Sequence, residues 1–538
     1  MSGRPWLRHY APGVRAELEY PEVPLHRLLE ETATRYPELP AIRFYGWRLR
    51  YGELWHQVRA MARALADLGV QPGNRVALML PNCPQYVIAY YGTLMAGAVV
   101  AQVNPLYTER ELQYLVTNAG AETIVVADLL YPKVQAVLES TPLRRVVVAS
   151  LGGSAELGPE ARRLEALLAA APPEPPAVEV RPGDVAVLQY TGGTTGVSKG
   201  AMLTHANLVA NAIALHEWVK PVALGPGEER VLAILPLFHS YGMTVCMNQA
   251  LIRGAELILL PRLDLQELME TIRETRPTSF PGVPTLYAAV NQFPDADKYG
   301  LSSIRLCNSG AAPLPLEILQ AFEARTGAQI VEGYGLSEAS PVTHSNPVGG
   351  LRKPGSIGIP LPDTDAEIVD VETGTRVLPP GEIGELRVRG PQVMVGYWQM
   401  PEETRNALRD GWLYTGDLAW MDEDGYFYIV DRKKDMIIVS GFNVYPREVE
   451  EVLYEHPAVA EACVAGVPDP YQGERVKAYV VLKPGHHVTG EELQAYCRQR
   501  LAGYKVPREV EFRSSLPKSN VGKVLRRLLV EEERRRGA

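Results

Sequence analysis

Residues 190–200 read Tyr-Thr-Gly-Gly-Thr-Thr-Gly-Val-Ser-Lys-Gly and directly follow the apolar, strand-like Val185-Ala-Val-Leu-Gln189. No other stretch narrows the possible folds so much. Four glycines let the backbone wrap closely round an oxyanion, three threonines add hydroxyl donors, and Lys199 adds a cation. Only twelve of the 54 basic residues are lysine, so a lysine inside such a loop is a scarce choice. The pattern predicts a strand that delivers a phosphate-holding loop. It is not a Walker A loop, because no Gly-Lys-Ser/Thr stands at the required spacing. Gly196-Val-Ser-Lys-Gly200 also fits the G-x-S-x-G pattern of a hydrolase elbow around Ser198. An elbow needs its serine on the turn directly after the strand, with a helix opening next. Here the polar run Thr191–Val197 intervenes, and an apolar segment precedes a helix expected at about Thr204, so the hydrolase stays the minor alternative.

At 538 residues the chain is too long for one ordinary core. Leu54, Val58, Met61, Leu65 and Leu68 recur at helical spacing and Gly69 follows, which predicts an amphipathic helix with a glycine stop. Arg75–Leu80 then reads as a buried strand, and the alternation recurs at Glu122–Ala127, Val146–Ala149, Val231–Leu235 and Leu257–Leu260. Layered α/β structure with mainly parallel sheets is the expectation. Val76–Thr108 carries no charge, but its apolar run from Tyr86 to Ala101 is too short and too rich in glycine for a membrane span. A buried helix feeding a strand fits better.

From Gly355 to Tyr428 the texture changes to short strands and Pro-Gly turns, as in a small β-rich lobe. The charged knot Asp431-Arg-Lys-Lys-Asp435 follows, and then about a hundred residues suited to a small α+β domain. The main boundary is therefore placed there: a large N-terminal domain over 1–430 and a small C-terminal domain over 435–538. Ala171–Pro176 is a stiff connector. The net charge of −9 argues against nucleic acid as partner. Five scattered cysteines without a CxxC pair predict buried free thiols, and the N-terminus lacks the apolar core of a signal peptide; both point to the cytoplasm.

Further constellations lie downstream. Gly333-Tyr-Gly-Leu-Ser-Glu338 follows the strand-like Gln329–Val331; Tyr334 could face a base, and Glu338 could hold magnesium beside a phosphate. Tyr414-Thr-Gly-Asp417 puts a carboxylate on a turn, apt for ribose hydroxyls. Asp431-Arg432 and the lysine of Pro517-Lys-Ser-Asn-Val-Gly-Lys523 complete the set. In this order and spacing the motifs resemble the adenylate-forming enzymes: acyl-CoA synthetases, luciferases and peptide-synthetase adenylation domains. The resemblance covers essentially the whole chain and is strongest to bacterial long-chain fatty acid–CoA ligases, through Pro236–Met243, Gly333–Val342, Asp431–Ile437 and Ser440–Pro446.

That resemblance implies a mobile C-terminal domain on a hinge at 431–434, with Lys434 at the hinge position. It implies that Thr191, Gly192, Gly193, Thr194, Thr195, Gly196 and Lys199 hold the ATP phosphates. Asn308–Ala312, with Ala311 and Ala312, and Tyr334 would pack round the adenine, and Ser337 would be a further ATP-binding residue. Asp417 and Arg432 would hold the ribose, Glu338 and Thr191 would attend Mg²⁺, and Lys523 would bridge carboxylate and α-phosphate. His239, Tyr241, Gly310, Gly333 and Val342 would line an acyl pocket, and Gly441 a CoA tunnel. The implied partners are a fatty acid, ATP and CoA, with no transmembrane segment and with room for a homodimer or a peripheral membrane contact. The rivals are an aryl-acid ligase of the same superfamily, a luciferase-like oxygenase, the Ser198 hydrolase, and a non-catalytic acyl-binding protein that would be expected to lack Lys523 or Glu338.

Overall fold

The structure, a computed structural model, describes residues 4–153, 156–191, 198–439, 442–469, 473–519 and 522–536. Packing divides the mixed α/β chain into a large and a small compact unit. One takes residues 1–365 and 389–413, the other 366–388 and 414–538.

In the large unit the amphipathic helix is α1 (Tyr51–Asp67), which buries Leu54, Val58, Met61 and Leu65. Gly69 follows it at φ +86°, a conformation that glycine takes without cost. The next strand is β1 (Arg75–Met79). The charge-free stretch forms α2 (Pro84–Met95), buried at every position, and β2 (Val99–Gln102). This apolar run is thus core, and among the described residues no helix is long and apolar enough to cross a membrane.

Strands β3 (Thr123–Ala127), β4 (Arg145–Ala149), β5 (Ala161–Arg163), β6 (Val185–Thr191) and β7 (Lys199–Thr204) extend the same sheet. Its spatial order is 7-6-2-1-3-4-5, with every pairing from β6 to β5 parallel. Leu115, Val116, Ile124, Val146 and Leu188 form part of the core packed on it. Within this seven-strand run the β6–β7 pairing is the antiparallel one, with Thr191 opposite Lys199. Thr204 then caps α3 (His205–Val219), its hydroxyl accepting the Asn207 N–H at 3.2 Å.

Farther along, β8 (Gln329–Gly335) pairs antiparallel with β9 (Val342–Ser345). Residues 366–388 belong to the small unit, but the chain then returns. The two-residue strand β10 (Gly396–Tyr397) adds antiparallel to the free side of β7, and α4 (Pro401–Ala407) follows. The sequence texture had placed this segment in the β-rich lobe; its edge pairing assigns it to the large unit.

The strand β11 (Trp412–Met421), which belongs to the small unit from Tyr414 on, pairs antiparallel with β12 (Phe427–Arg432). A separate five-stranded sheet includes 437–439, 459–469 and 473–482, and its core contains Val439, Val449, Leu453, Val464 and Val480. The helix Arg526–Arg536 follows.

Candidate active site

The large unit gathers its site at the mouth of the β6–β7 hairpin. The register sets half-buried Thr191 opposite Lys199, so the glycine-threonine loop joins two strands rather than a strand and a helix. That geometry removes the hydrolase elbow. The Ser198 hydroxyl donates to the Thr191 carbonyl at 2.6 Å, and the chain enters β7 immediately afterwards. Gly192, Gly193, Thr194, Thr195 and Gly196 lie outside the described residues. Lys199 makes an ion pair with Glu403 of α4, and its ammonium lies 5.3 Å from the centre of the Tyr397 ring.

Tyr334 leaves β8 opposite His344 of β9, the two rings meeting edge-on at 6.0 Å. Burial pushes the His344 imidazole down to about 3, so it stands neutral behind the tyrosine. Gly335 permits the turn that follows, since a Cβ there would lie 2.2 Å from the Pro341 carbonyl oxygen. The turn Ser337–Ala339 then presents Glu338, whose Oε1 accepts the Tyr397 hydroxyl at 2.7 Å. Ser337 and Ser240 meet through their hydroxyls at 3.3 Å, which brings the Pro236–Met243 segment against the Glu338 turn.

That segment carries His239 and Tyr241. The His239 Nδ1 accepts the Tyr241 backbone N–H at 3.2 Å. The Tyr241 hydroxyl donates to the Asn308 carbonyl at 2.7 Å, anchoring the ring beside Gly310, where a Cβ would lie 3.2 Å from it. Gly333 is equally constrained, its Cβ position lying 3.3 Å from the His344 carbonyl oxygen. Val342 is buried, and its N–H and C=O are both taken by Asn211, at 3.1 and 2.7 Å. Ala311 and Ala312 are exposed beyond the strand carrying Asn308, and Ala311 holds φ +66°, unusual for a residue with a Cβ.

The small unit assembles a second group. The β11–β12 register sets Asp417 opposite Arg432, and their side chains pair at 2.9 Å. Asp417 is buried. Lys523 joins them: it follows a turn closed by Ser519, and its ammonium is pushed down to about 8, mainly by the Arg432 charge and then by desolvation, with Asp417 opposing. The Lys434 ammonium is also lowered, by partial burial first and by Arg432, Arg527 and Arg526, against Asp435. Gly441 lies outside the described residues. Thus Thr191, Lys199, Tyr334, Ser337 and Glu338 are placed in one unit, and Asp417, Arg432, Lys434 and Lys523 in the other.

Tyr397 and Glu403 were missed from sequence. The available signal was Gly396-Tyr-Trp-Gln-Met-Pro-Glu-Glu-Thr404, a glycine-led aromatic pair followed by an acidic helix start, which reads like any surface turn.

The described groups thus fall into two clusters, Lys199 with Thr191 at a strand hairpin of the large unit and Lys523 with a carboxylate–arginine pair in the small one. The chain belongs to the AMP-binding enzyme family, which it matches over residues 29–398, and it matches the AMP-binding enzyme C-terminal domain over 448–523. It is 48% identical over 554 residues to the long-chain-fatty-acid–CoA ligase of Bacillus subtilis (strain 168), covering 99% of this chain and 98% of that protein. It is 40% identical over 491 residues to a feruloyl-CoA synthase of an Amycolatopsis species, covering 91% and 95%. Among solved structures, ATP-bound MatB from Rhodopseudomonas palustris superposes with a TM-score of 0.87 at 33% identity, covering 95% of this chain and 99% of that one.

Proposed function

We infer that the protein is an ATP-dependent fatty acid–CoA ligase that favours medium-to-long chains. The carboxylate oxygen of the acid attacks the α-phosphorus of ATP and pyrophosphate leaves, forming an acyl-adenylate. The CoA thiol then attacks the activated carbonyl and AMP leaves. Lys199 and the hydroxyl of Thr191 bind phosphate at the hairpin mouth, while Tyr334 and Ser337 with Ala311 and Ala312 frame the base. Asp417 and Arg432 orient the ribose, and Lys523 supplies positive charge where the carboxylate meets the α-phosphate.

Glu338 and Thr191 offer the hard oxygen donors that magnesium takes, and among the described residues no cluster of three or more His, Cys, Asp or Glu forms an all-protein cage. That donor set fits Mg²⁺, which binds through one or two carboxylates plus substrate phosphates. When bound, such an ion offsets charge on the phosphate oxygens. Residues 431–434 act as the hinge through which the domain 435–538 turns between the half-reactions, and Gly441 lines the path of CoA. The five cysteines are buried and unpaired, as suits a reducing cytoplasm.

The observation that carries the substrate class is the uncharged wall of Gly310 against the Tyr241 ring. Among His239, Tyr241, Gly310, Gly333 and Val342 there is no Lys, Arg, Asp or Glu to pair with a second carboxylate or an amino group, and Gly310 lets the Tyr241 ring pack close as an uncharged wall for an alkyl tail. Each buried methylene contributes about 0.8 kcal/mol, so selectivity should climb roughly fourfold per carbon until the tunnel ends. A kcat/KM series from acetate to long-chain acids, with coumarate and ferulate alongside, tests this. A peak at acetate overturns the fatty-acid reading. A preference for the aryl acids favours the second reading, which the feruloyl-CoA synthase relative supports.

A further inference from the structure

The excursion of residues 389–413 into the large unit delivers two side chains to the site. Its backbone is tied to both halves of that site. Met394 N–H donates to the Glu338 carbonyl at 2.8 Å, Val395 N–H to the Met202 carbonyl at 3.1 Å, and Trp398 N–H to the Gly200 carbonyl at 2.8 Å. Between these ties sits Tyr397, only 9% exposed. Its ring lies under the Lys199 ammonium and its hydroxyl holds Glu338, so a single rigid side chain spans the cation and the carboxylate. Helix α4 is locked to the same strand, because Thr404 Oγ1 accepts the Tyr397 N–H at 2.9 Å. Gly396, at φ +147°, lets the helix come this close; a Cβ there would stand 2.8 Å from Thr404 Cγ2. Glu403, on that helix, pairs with Lys199 while 41% of its side chain stays in solvent.

We propose that Tyr397 and Glu403 are positioning residues for adenylation: Tyr397 fixes Lys199 and Glu338 at one spacing, and Glu403 is the counter-ion that the polyphosphate of ATP displaces. The proposal rests on the reading of Lys199 as a phosphate-binding cation. A half-exposed ion pair opens at small cost, so Glu403 keeps Lys199 in place without holding it against a multiply charged competitor. The tyrosine ring stays beneath the ammonium throughout, and its hydroxyl keeps the Glu338 carboxylate aimed.

Calorimetric titration of the full chain with ATP in EDTA, followed by magnesium titration of pyrophosphate exchange, tests both roles. Glu403→Gln should bind ATP in EDTA roughly two- to fivefold tighter, the scale of a surface ion pair no longer to be broken. Tyr397→Phe keeps the ring and should leave that affinity within about twofold, but raise the magnesium needed for half-maximal exchange roughly tenfold, as loss of a ligand's orienting hydrogen bond does. Tyr397→Leu removes the ring and should weaken ATP binding in EDTA as well. Unchanged or weaker binding by Glu403→Gln overturns the counter-ion role. A parental magnesium requirement in Tyr397→Phe, or equal loss in EDTA by Phe and Leu, overturns the spacing role. Lys199→Met separates the premises. Parental affinity in that variant overturns the phosphate role of Lys199 itself; weakened affinity alongside an unchanged Glu403→Gln overturns the counter-ion alone.

Discussion

Lys199 and Lys523 are both assigned to ATP, yet their surroundings are opposite. Lys199 faces an anion and an aromatic ring, Glu403 and Tyr397. The largest influence on Lys523 is a like charge, Arg432, with Asp417 only partly offsetting it. A cation held by its own counter-ion and an aromatic ring suits steady binding, since both partners fix its place. A cation crowded by another is costly until negative charge arrives beside it, so it stabilises most where charge on the α-phosphate is greatest. The two lysines thus divide holding from chemistry, and each expected result below tests that division.

The largest effect belongs to Lys523→Ala. Acid-dependent pyrophosphate exchange should fall by roughly 10²–10³, the scale of one lost transition-state donor. Thioester formation from supplied acyl-adenylate and CoA should barely change. Equal loss in both half-reactions would make Lys523 another holding residue and erase the contrast.

Lys434→Pro comes next. Proline sets φ near about −65° and removes an N–H, so it should trap one arrangement of the 431–434 segment. Exchange should survive while complete ligation drops by roughly 10²-fold, the cost of a mis-set reacting geometry. Loss of both in parallel would mean that the segment is merely part of the fold around Lys523.

The contrast also sets a pH dependence. Lys523 is cationic below its pKa of about 8 and neutral above it, so kcat/KM for ATP in the exchange assay should decline as pH rises through about 8, that parameter reporting the free protein. Arg432→Gln removes the first cause of the lowered value and should shift this alkaline limb upward, whatever it does to KM through the ribose. An unmoved limb would assign the transition to another group.

The smallest effect is expected from Ser198→Ala. Its hydroxyl donates to the Thr191 carbonyl, and a neutral hydrogen bond of this kind is worth about 1 kcal/mol, so exchange should change by less than about tenfold. ATP-independent ester turnover that vanishes in this variant would falsify the ligase reading of the loop and restore the elbow.

Much of this was readable in the chain, because it rests on local chemistry. The glycine-threonine loop after Val185–Gln189, the helix opening at Thr204 and the acidic turn at Glu338 each lie within a few residues of their own cause. The apolar run Tyr86–Ala101 was readable as core from its length and its glycines. The return of residues 389–413 was not. A two-residue strand has no periodicity, and what places it is the open edge of β7, almost two hundred residues earlier in sequence. Tyr397 and Glu403 were invisible for the same reason. Ala311 at φ +66° also escaped, since glycine is the residue that pattern reading places there.

By itself, then, the sequence determined what a loop or a turn can offer locally, since a loop's donors and a turn's carboxylate are properties of adjacent residues. The tertiary structure alone decided what each of them faces. Asp417 meets Arg432 because β11 and β12 pair in that register. Lys523 feels Arg432 because the turn closed by Ser519 sets it beside that strand, whereas Lys199 meets Glu403 because an edge strand carries α4 back to β7. Charge interactions fall off over a few ångströms and take no account of separation along the chain. Two lysines with similar local sequence, each next to a glycine, therefore acquired opposite electrostatics only when the chain folded.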